Sequence, residues 1–273
     1  MKKIKVLSII IGLLLAFGIA GNVLAGQKLT MSGSTTVLPI AQKAAEEFMN
    51  AHPDVDISVR GGGSGVGVAA IIDGTVDIGN SSRAAKAKEI ATARGKGVNL
   101  SGTIIAKDGI CIIVNKANSI SSISLETAKK IYTGEISKWS EAGGSGSTIV
   151  VISRDTASGT FEVFNEKVLK GSKVREDAMM LASNQAILTS VSTTPGAVGY
   201  IGLGYVTDEV KSLVVNGVTA TKETVISGKY PVSRPLYMYT NAAPKGLAKQ
   251  FLDYILSPKG QKLVEEVGFI AVK

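Results

Sequence analysis

Apolar strand patterns alternate with helical patterns along most of this chain, and that alternation limits the folds it can adopt. Residues 54–60 alternate apolar and polar side chains with the period of two that strands show, whereas residues 37–48 place apolar side chains on one helix face. Such alternation is typical of parallel sheets with helices on both faces. About 248 residues follow the leader described below, too many for one small core. We therefore expect an α/β fold of two lobes.

The first 25 residues have the composition of a secretory signal peptide. Lysines precede an apolar run over residues 6–20, and residues 23–25 are of the small or aliphatic kind that a signal peptidase reads. A retained transmembrane helix is the alternative, but the run ends in Gly18 and Gly21 and no second apolar span follows it. We expect cleavage before Gly26 and a soluble mature protein that is exported to the periplasm.

Charge and aromatic content limit the partners of the mature chain. Loss of Lys2, Lys3 and Lys5 with the leader lowers the net charge from +8 to +5. This excess suits the attraction of small anions but is too diffuse for a nucleic-acid interface. Aromatic residues, at 5%, also provide few platforms on which bases could stack. We expect no nucleic-acid partner.

Cysteine and histidine, which supply most catalytic nucleophiles and bases, are scarce. Cys111 is the only cysteine, so an intramolecular disulfide is excluded, and its isoleucine neighbours predict a buried, inert thiol. His52 is the only histidine and lies at a predicted helix end, which disfavours a serine hydrolase with a histidine base. Clustered metal-ligating residues are absent from the sequence. We expect no enzymatic activity, no metal and no cofactor.

Turns rich in serine and threonine follow four of the predicted strands. Unpaired N–H groups at a helix start, the helix dipole and the hydroxyl groups together form a site for an anion. Each turn alone has the composition of an ordinary helix cap. Four such turns, together with the guanidinium groups of Arg83 and Arg154, predict a donor-rich pocket for a small oxyanion. The turns are residues 34–36, Ser64-Gly65, Ser81-Ser82 and residues 158–160.

A glycine-rich run over residues 61–67 leads into the helix predicted after Ser64. It does not match the dinucleotide-binding fingerprint, because Val66 or Val68 stands where the last glycine is required. It also lacks the Lys-Ser/Thr ending of a P-loop. Its glycines allow the backbone to approach a ligand closely, and a flexible turn is the plainer alternative.

Two strand patterns, over residues 102–106 and 110–114, are separated only by a short joint. At this joint we expect the chain to pass from one lobe to the other, and residues 236–240 predict the return strand. The expected organisation is a signal peptide over residues 1–25, a first lobe over residues 26–107 plus 236–273, and a second lobe over residues 108–235.

Four motifs give the chain a family resemblance that extends from about Leu29 to the C-terminus. They are Gly33-Ser34-Thr35-Thr36 with Pro39, Gly63-Ser64-Gly65, Asp77-Ile78-Gly79 followed by Ser81-Ser82-Arg83, and Arg154 with Ser158-Gly159-Thr160. In these motifs the chain resembles the PstS-type periplasmic phosphate-binding proteins of phosphate ABC transporters. The resemblance implies a two-lobe Venus-flytrap fold, in which each lobe is a mostly parallel sheet flanked by helices and two hinge strands cross between the lobes. It also implies that phosphate is clamped between lobes that close by hinge motion.

The resemblance further implies a partner and a set of binding residues. We expect a monomer that captures inorganic phosphate and delivers it to a membrane permease of an ABC transporter, without catalytic residues. Ser34 and Arg83 are added to the binding set because of their position and chemistry. The phosphate-contacting positions of the family correspond to Thr35, Thr36, Ser64, Ser82, Arg154, Ser158, Gly159 and Thr160.

Ser82 departs from the family pattern. The best-known members hold an aspartate there, whose carboxylate accepts the phosphate proton and repels fully ionised sulfate. A serine hydroxyl can donate or accept, so the selectivity stays open. Asp155 either supplies the missing acceptor or orients Arg154, and we favour the second interpretation.

Alternatives to phosphate capture are a binding protein for sulfate, molybdate or tungstate, a secreted phosphatase-like enzyme with Ser158 as nucleophile, and a scaffold whose serine loops are only caps.

Overall fold

The computed structural model describes residues 26–272, so the predicted signal peptide lies outside the described residues. Its strands are β1 (Gln27–Gly33), β2 (Val55–Gly62), β3 (Ile78–Ser81), β4 (Leu100–Asn115), β5 (Ser122–Ile123), β6 (Val150–Arg154), β7 (Met179–Leu181), β8 (Ala197–Gly202), β9 (Val210–Ser212), β10 (Val214–Val215) and β11 (Ser233–Asn241). Its α-helices are α1 (Leu38–Ala51), α2 (Ser64–Ile72), α3 (Ala87–Gly95), α4 (Leu125–Thr133), α5 (Gly159–Phe164), α6 (Asn184–Thr193), α7 (Lys222–Ile226), α8 (Gly246–Leu256) and α9 (Pro258–Glu266).

One mixed sheet carries most of these strands, in the order β2-β1-β3-β11-β4-β8-β6-β7, with β9 paired to β4. β1 is parallel to β2 and β3, and β6 is parallel to β7 and β8. Antiparallel pairs join these parallel groups, since β11 is antiparallel to β3 and β4, and β4 is antiparallel to β8. The α/β expectation is confirmed, with parallel strands at both ends of the sheet and antiparallel strands at its centre.

β4 is one continuous strand of 16 residues, not two strands with a joint between them. The expected joint, residues 107–109, pairs in register with Ser233, Arg234 and Pro235 of β11, so its backbone stays extended. The next part of β4, from Ile110 onward, pairs with β8 instead. β4 therefore runs from one end of the sheet to the other, and β11 accompanies it across the crossing.

Buried apolar side chains form separate clusters at the two ends of the sheet. Met31, Phe48 and Phe251 belong to a cluster around β1, α1 and α8, with a smaller cluster under α2 beside it. Trp139 and Phe164 belong to a cluster around β8 and α4, with another under α6. We call the β1–β3 end the first lobe and the β6–β8 end the second lobe. Each lobe has its own apolar core, so the two can move relative to one another without opening either core.

Within residues 26–272, no helix combines the length and the hydropathy that crossing a membrane requires.

α2 lies unusually close to β1 and β3, because glycines stand at the contact. A Cβ atom on Gly67 would stand 2.6 Å from the Asn80 carbonyl oxygen and 2.8 Å from that of Ser32. A Cβ atom on Gly79 would stand 2.4 Å from the carbonyl oxygen of Gly67. These neighbours are backbone atoms that cannot turn aside, so the contact fixes where the N-terminus of α2 meets the ends of the strands.

We expect Gly67→Ala to lower the free energy of unfolding by about 1–3 kcal/mol, because the added methyl group overpacks a backbone contact. In a chain of this size each kcal/mol lowers the melting temperature by about 2–4 °C. Circular dichroism melting curves measure the effect. Gly95→Ala is the matched control, since a Cβ at this residue of α3 meets nothing within 4 Å and alanine favours a helix. Equal melting temperatures for the two variants would contradict the close-packing argument.

Candidate anion-binding site

The hydroxyl-bearing turns of both lobes meet in one buried cluster where the sheet halves adjoin. Thr36 Oγ1 of the first lobe lies 3.1 Å from Thr160 Oγ1 of the second, and Ser64 Oγ lies 3.2 Å from Ser82 Oγ. A Cβ atom on Gly159 would stand 2.3 Å from Ser64 Oγ, so only glycine permits this approach. The members buried to more than nine-tenths are Ser34, Thr35, Thr36, Ser64, Ser82, Ser158 and Thr160. We call this set the hydroxyl cluster.

Ser158 also caps a helix, as the plainer interpretation holds, because its Oγ accepts a hydrogen bond of 3.2 Å from the N–H of Phe161 at the start of α5. Ser34 Oγ is engaged in a similar way by the turn that precedes α1, where it accepts from the N–H groups of Thr36 and Val37, at 3.1 and 3.4 Å. Capping occupies a lone pair of the oxygen and leaves the hydroxyl proton available as a donor. The capping and anion-binding roles are therefore compatible at the same residue.

Arg154 is the last residue of β6, and its side chain is buried among the turns. Its Nε donates to the Leu181 carbonyl at 3.1 Å, and its Nη2 donates to the Ala182 carbonyl at 2.9 Å and to Thr35 Oγ1 at 3.2 Å. Its Nη1 is buried and has no hydrogen-bond partner among residues 26–272. Burial lowers the pKa of Arg154 to about 10. A cation held in this way is stabilised by any anion that reaches its free face.

A second guanidinium, that of Arg234, enters the hydroxyl cluster from the crossing strand β11. Its Nη1 donates to Thr160 Oγ1 at 2.9 Å and to Ser82 Oγ at 3.2 Å, and its Nη2 donates to Thr36 Oγ1 at 3.2 Å. These hydroxyls come from three different turns. Sequence reasoning predicted the return strand over residues 236–240 but did not place this arginine in the site. The available signal was a charged side chain at the start of an otherwise apolar strand.

Asp108 holds Arg234 in place. Its Oδ2 accepts from Arg234 Nε at 3.0 Å and Nη2 at 2.8 Å, and its Oδ1 accepts from the Leu203 N–H at 2.9 Å. The carboxylate is fully buried, and burial raises the pKa of Asp108 while the adjoining guanidinium opposes that shift. Burial likewise lowers the pKa of Arg234 against the effect of Asp108. Two guanidinium groups and one carboxylate leave the site with one net positive charge.

Asn184, at the first turn of α6, is another member of the site that sequence reasoning missed. Its Nδ2 donates to Thr35 Oγ1 and Thr36 Oγ1, each at 3.1 Å, while its Oδ1 accepts from the Gly202 N–H at 3.2 Å. The hydroxyl of Tyr205 donates to the Thr35 carbonyl at 2.6 Å. Both residues belong to the second lobe and bind the turn of the first, so the two lobes contact each other directly around the hydroxyl cluster.

Arg83 is buried but turned away from the hydroxyl cluster. Its Nη1 and Nη2 donate to Glu89 at 2.8 and 2.7 Å, and its Nε lies 2.5 Å from Glu162 Oε2. Burial acts to lower the pKa of Arg83, but these two carboxylates outweigh burial and raise it. Of the ten predicted site residues, Arg83 is the one whose charged group the structure does not bring to the cluster.

Asp155 does not orient Arg154, contrary to the interpretation that the sequence favoured. Its Oδ1 accepts from the N–H of Ala157 at 3.0 Å, which tightens the turn ahead of α5. The Arg154 guanidinium is held instead by the carbonyl oxygens of residues 181 and 182. Within the described part of the chain, the carboxylates of Asp155 and Asp108 are thus both engaged by donors of the protein itself.

The remaining reactive groups lie apart from the cluster. His52 is exposed at the end of α1, where its ring packs on Phe48 at a centroid distance of 4.4 Å. Cys111 is buried in β4, and burial raises the pKa of its thiol to about 12. No group of three or more His, Cys, Asp or Glu side chains among residues 26–272 is arranged to hold a metal ion.

Comparisons of the sequence and of the fold with known proteins both lead to one protein family. A sequence model of the PBP superfamily domain matches residues 21–259. The phosphate-binding protein PstS of Bacillus subtilis is 37% identical over 254 residues, which cover 92% of this chain and 83% of that protein. The PstS of Borreliella burgdorferi is 31% identical over 256 residues, which cover 89% of this chain and 90% of that protein.

A solved structure from Clostridium perfringens, described as a phosphate ABC transporter substrate-binding protein with bound phosphate, superposes with a TM-score of 0.84. It is 36% identical and covers 90% of this chain and 100% of its own. An ABC-type phosphate transport receptor from Vibrio cholerae has a TM-score of 0.73 and is 30% identical, covering 89% and 99% of the two chains. On the superfamily match and these identities, the chain belongs to the PstS-type phosphate-binding proteins of the PBP superfamily.

Proposed function

We propose that this chain captures inorganic phosphate between its two lobes and delivers it to the membrane permease of an ABC transporter. One observation carries the proposal: the guanidinium of Arg154 contacts the hydroxyl cluster through Nη2, which donates to Thr35 Oγ1, while its buried Nη1 has no hydrogen-bond partner in residues 26–272. The phosphate bound in the Clostridium perfringens relative supports the same ligand.

The chemistry of the cluster suits a tetrahedral oxyanion. A guanidinium can grip two oxygens of one anion at once, and hydroxyl protons can complete the shell of donors that water provided. Replacing every lost hydrogen bond is necessary, since a buried charge without partners costs several kcal/mol. Arg83 is left out of the proposed set of phosphate ligands because its guanidinium is paired with the carboxylates of Glu89 and Glu162. The proposed ligands are Ser34, Thr35, Thr36, Ser64, Ser82, Arg154, Ser158, Gly159, Thr160 and Arg234.

Capture in this proposal is a closure of two lobes on a shared pair of strands. The moving bodies are residues 26–107 plus 236–273 and residues 108–235, and β4 and β11 are the hinge. The separate apolar cores of the lobes support such a motion. The mature protein, exported by the signal peptide of residues 1–25, acts as a monomer that binds its ligand without transforming it.

Calorimetric titration of the refolded, ligand-stripped chain from Gly26 to Lys273 tests the proposal. We expect one phosphate per chain with a dissociation constant of about 1 μM or tighter, which corresponds to roughly −8 kcal/mol. Sulfate serves as the control anion and should bind more weakly. Absence of phosphate heat on a protein that circular dichroism shows to be folded would overturn the proposal. Equal affinities for both anions would instead make the chain a general oxyanion receptor.

We expect Arg154→Ala to weaken phosphate binding by about 100-fold or more, because it removes a buried charge together with its charge-assisted hydrogen bonds. Calorimetry on the purified variant measures the loss. Arg94→Ala is the matched control, since Arg94 is an exposed arginine of the first lobe and should leave the affinity unchanged. Binding of the Arg154 variant within a few-fold of the wild type would remove this residue from the site.

We expect Ser82→Asp to raise the ratio of phosphate to sulfate affinity by at least about tenfold. A carboxylate at this position accepts the proton that phosphate carries and sulfate lacks, so it repels sulfate more strongly. Ser82→Asn has a similar size without the charge and should leave the ratio near that of the wild type. Competition titration gives both affinities for each variant. An unchanged ratio in Ser82→Asp would show that residue 82 does not face the anion.

A further inference from the structure

An ion-pair network joins the two lobes beside the hydroxyl cluster without belonging to it. Glu162 of α5 places Oε2 at 2.5 Å from Arg83 Nε and Oε1 at 2.6 Å from Lys86 Nζ. Arg83 and Lys86 belong to the first lobe, in the segment between β3 and α3, and Glu162 belongs to the second. Arg83 Nε is not aligned for a hydrogen bond to Glu162, so this contact is ionic. We call these three residues the inter-lobe latch.

Within the latch, the contact between Arg83 and Glu162 is far less exposed than an ordinary surface ion pair, whereas the Lys86 side chain is 52% exposed. The side chain of Arg83 is 6% exposed and that of Glu162 is 17% exposed, whereas the partners of the surface pair Lys249–Asp253 are 58% and 62% exposed. Charges that are partly removed from water are screened less by solvent and salt than exposed ones. The contact between Arg83 and Glu162 should therefore contribute more than the small amount typical of an exposed pair.

Each end of the latch lies next to a proposed phosphate ligand in the sequence. Arg83 follows Ser82 directly, and Glu162 stands two residues after Thr160 on the helix that begins at Gly159. The N–H of Gly65 also donates to the Ala157 carbonyl at 3.0 Å, close to the same helix start. The latch thus holds the turn at residues 158–160 against the turns of the first lobe.

Opening of the lobes would break only one part of the network. Arg83 keeps its two hydrogen bonds to Glu89, because Glu89 belongs to the same lobe and its Oε2 also accepts from the Lys86 N–H. Glu162 would lose both cations. The contact of Glu162 with Arg83 and Lys86 therefore exists in the closed form alone, and an interaction present in one of two states shifts the equilibrium toward that state.

We propose that Glu162 is a positioning residue that, through Arg83 and Lys86, holds the closed form and slows the release of phosphate without touching the anion. The proposal rests on the function proposed above, since it assumes that the lobes close over phosphate. It assigns Arg83 a role different from the anion contact that the sequence suggested. The latch makes the lifetime of the complex depend on a contact outside the binding site.

Stopped-flow measurement of phosphate dissociation and association tests the latch in Glu162→Gln. We expect dissociation to be about tenfold faster than in the wild type and association to change by less than about twofold, since buried contacts act mainly on the dissociation rate. The difference should shrink in 1 M salt, where the screening length falls to about 3 Å. Dissociation at the wild-type rate would overturn the proposal.

Glu166→Gln is the matched control. Glu166 stands four residues further along, is exposed and forms no ion pair in the part of the chain that the structure describes. The substitution Glu166→Gln removes the same charge from the same surface, so the rates of phosphate dissociation and association should remain those of the wild type. An equal acceleration in both variants would mean that general electrostatics, and not the latch, governs release.

Small-angle scattering of the ligand-free proteins tests the latch separately from phosphate binding. We expect Glu162→Gln to show a larger radius of gyration than the wild type and than Glu166→Gln, because the open form becomes more populated. If the wild type binds no phosphate, the proposed function fails, and this measurement still decides the latch. Identical radii in all three folded proteins, together with unchanged dissociation, would show that Glu162 does not hold the lobes together.

Discussion

The pairing of Asp108 with Arg234 is the interaction on which the rest of the site depends. The two residues are register partners on β4 and β11, so the sheet itself places a buried carboxylate beside a buried guanidinium. Breaking such a pair leaves an uncompensated charge, which is far costlier than never having had the pair. Asp108 thereby fixes the orientation from which Arg234 donates to hydroxyls of three separate turns. Its negative charge also keeps the site from carrying two uncompensated cations.

The contacts between the lobes at the cluster and at the latch differ in chemistry. Around the cluster, Asn184, Tyr205 and the guanidinium of Arg154 bind the opposite turn through aligned hydrogen bonds. Outside it, the latch relies on charge alone. Directional hydrogen bonds define where the turns must stand, whereas a non-directional ionic contact tolerates small displacements as the lobes approach. The division suits the accurate closure and reopening proposed above.

The local patterns of the sequence predicted the elements that position the site. The helix indicated by the apolar pattern of residues 37–48 is α1, and the turns at Ser64 and Ser158 do begin helices. What the patterns missed depends on partners distant in the chain. Arg234 enters the site because of its register with Asp108, and Asn184 because of the face that α6 turns toward Thr35. The continuity of β4 depends likewise on its pairing with β11. Arg83 looked like an anion ligand because nothing near it in sequence indicated Glu162.

The position of β11 between β3 and β4 has a consequence for the order in which the chain can fold. The core around β8 and α4 comes from residues 110–232 apart from Ile270, whereas the core around β1 and α1 also needs Leu236, Phe251 and their neighbours near the C-terminus. A chain that emerges N-terminus first can complete most of the core around β8 while β3 and β4 still have unpaired edges. Such edges are templates for association with other chains. Insertion of β11 closes both edges at once, so folding of the first lobe and protection from aggregation become a single late event.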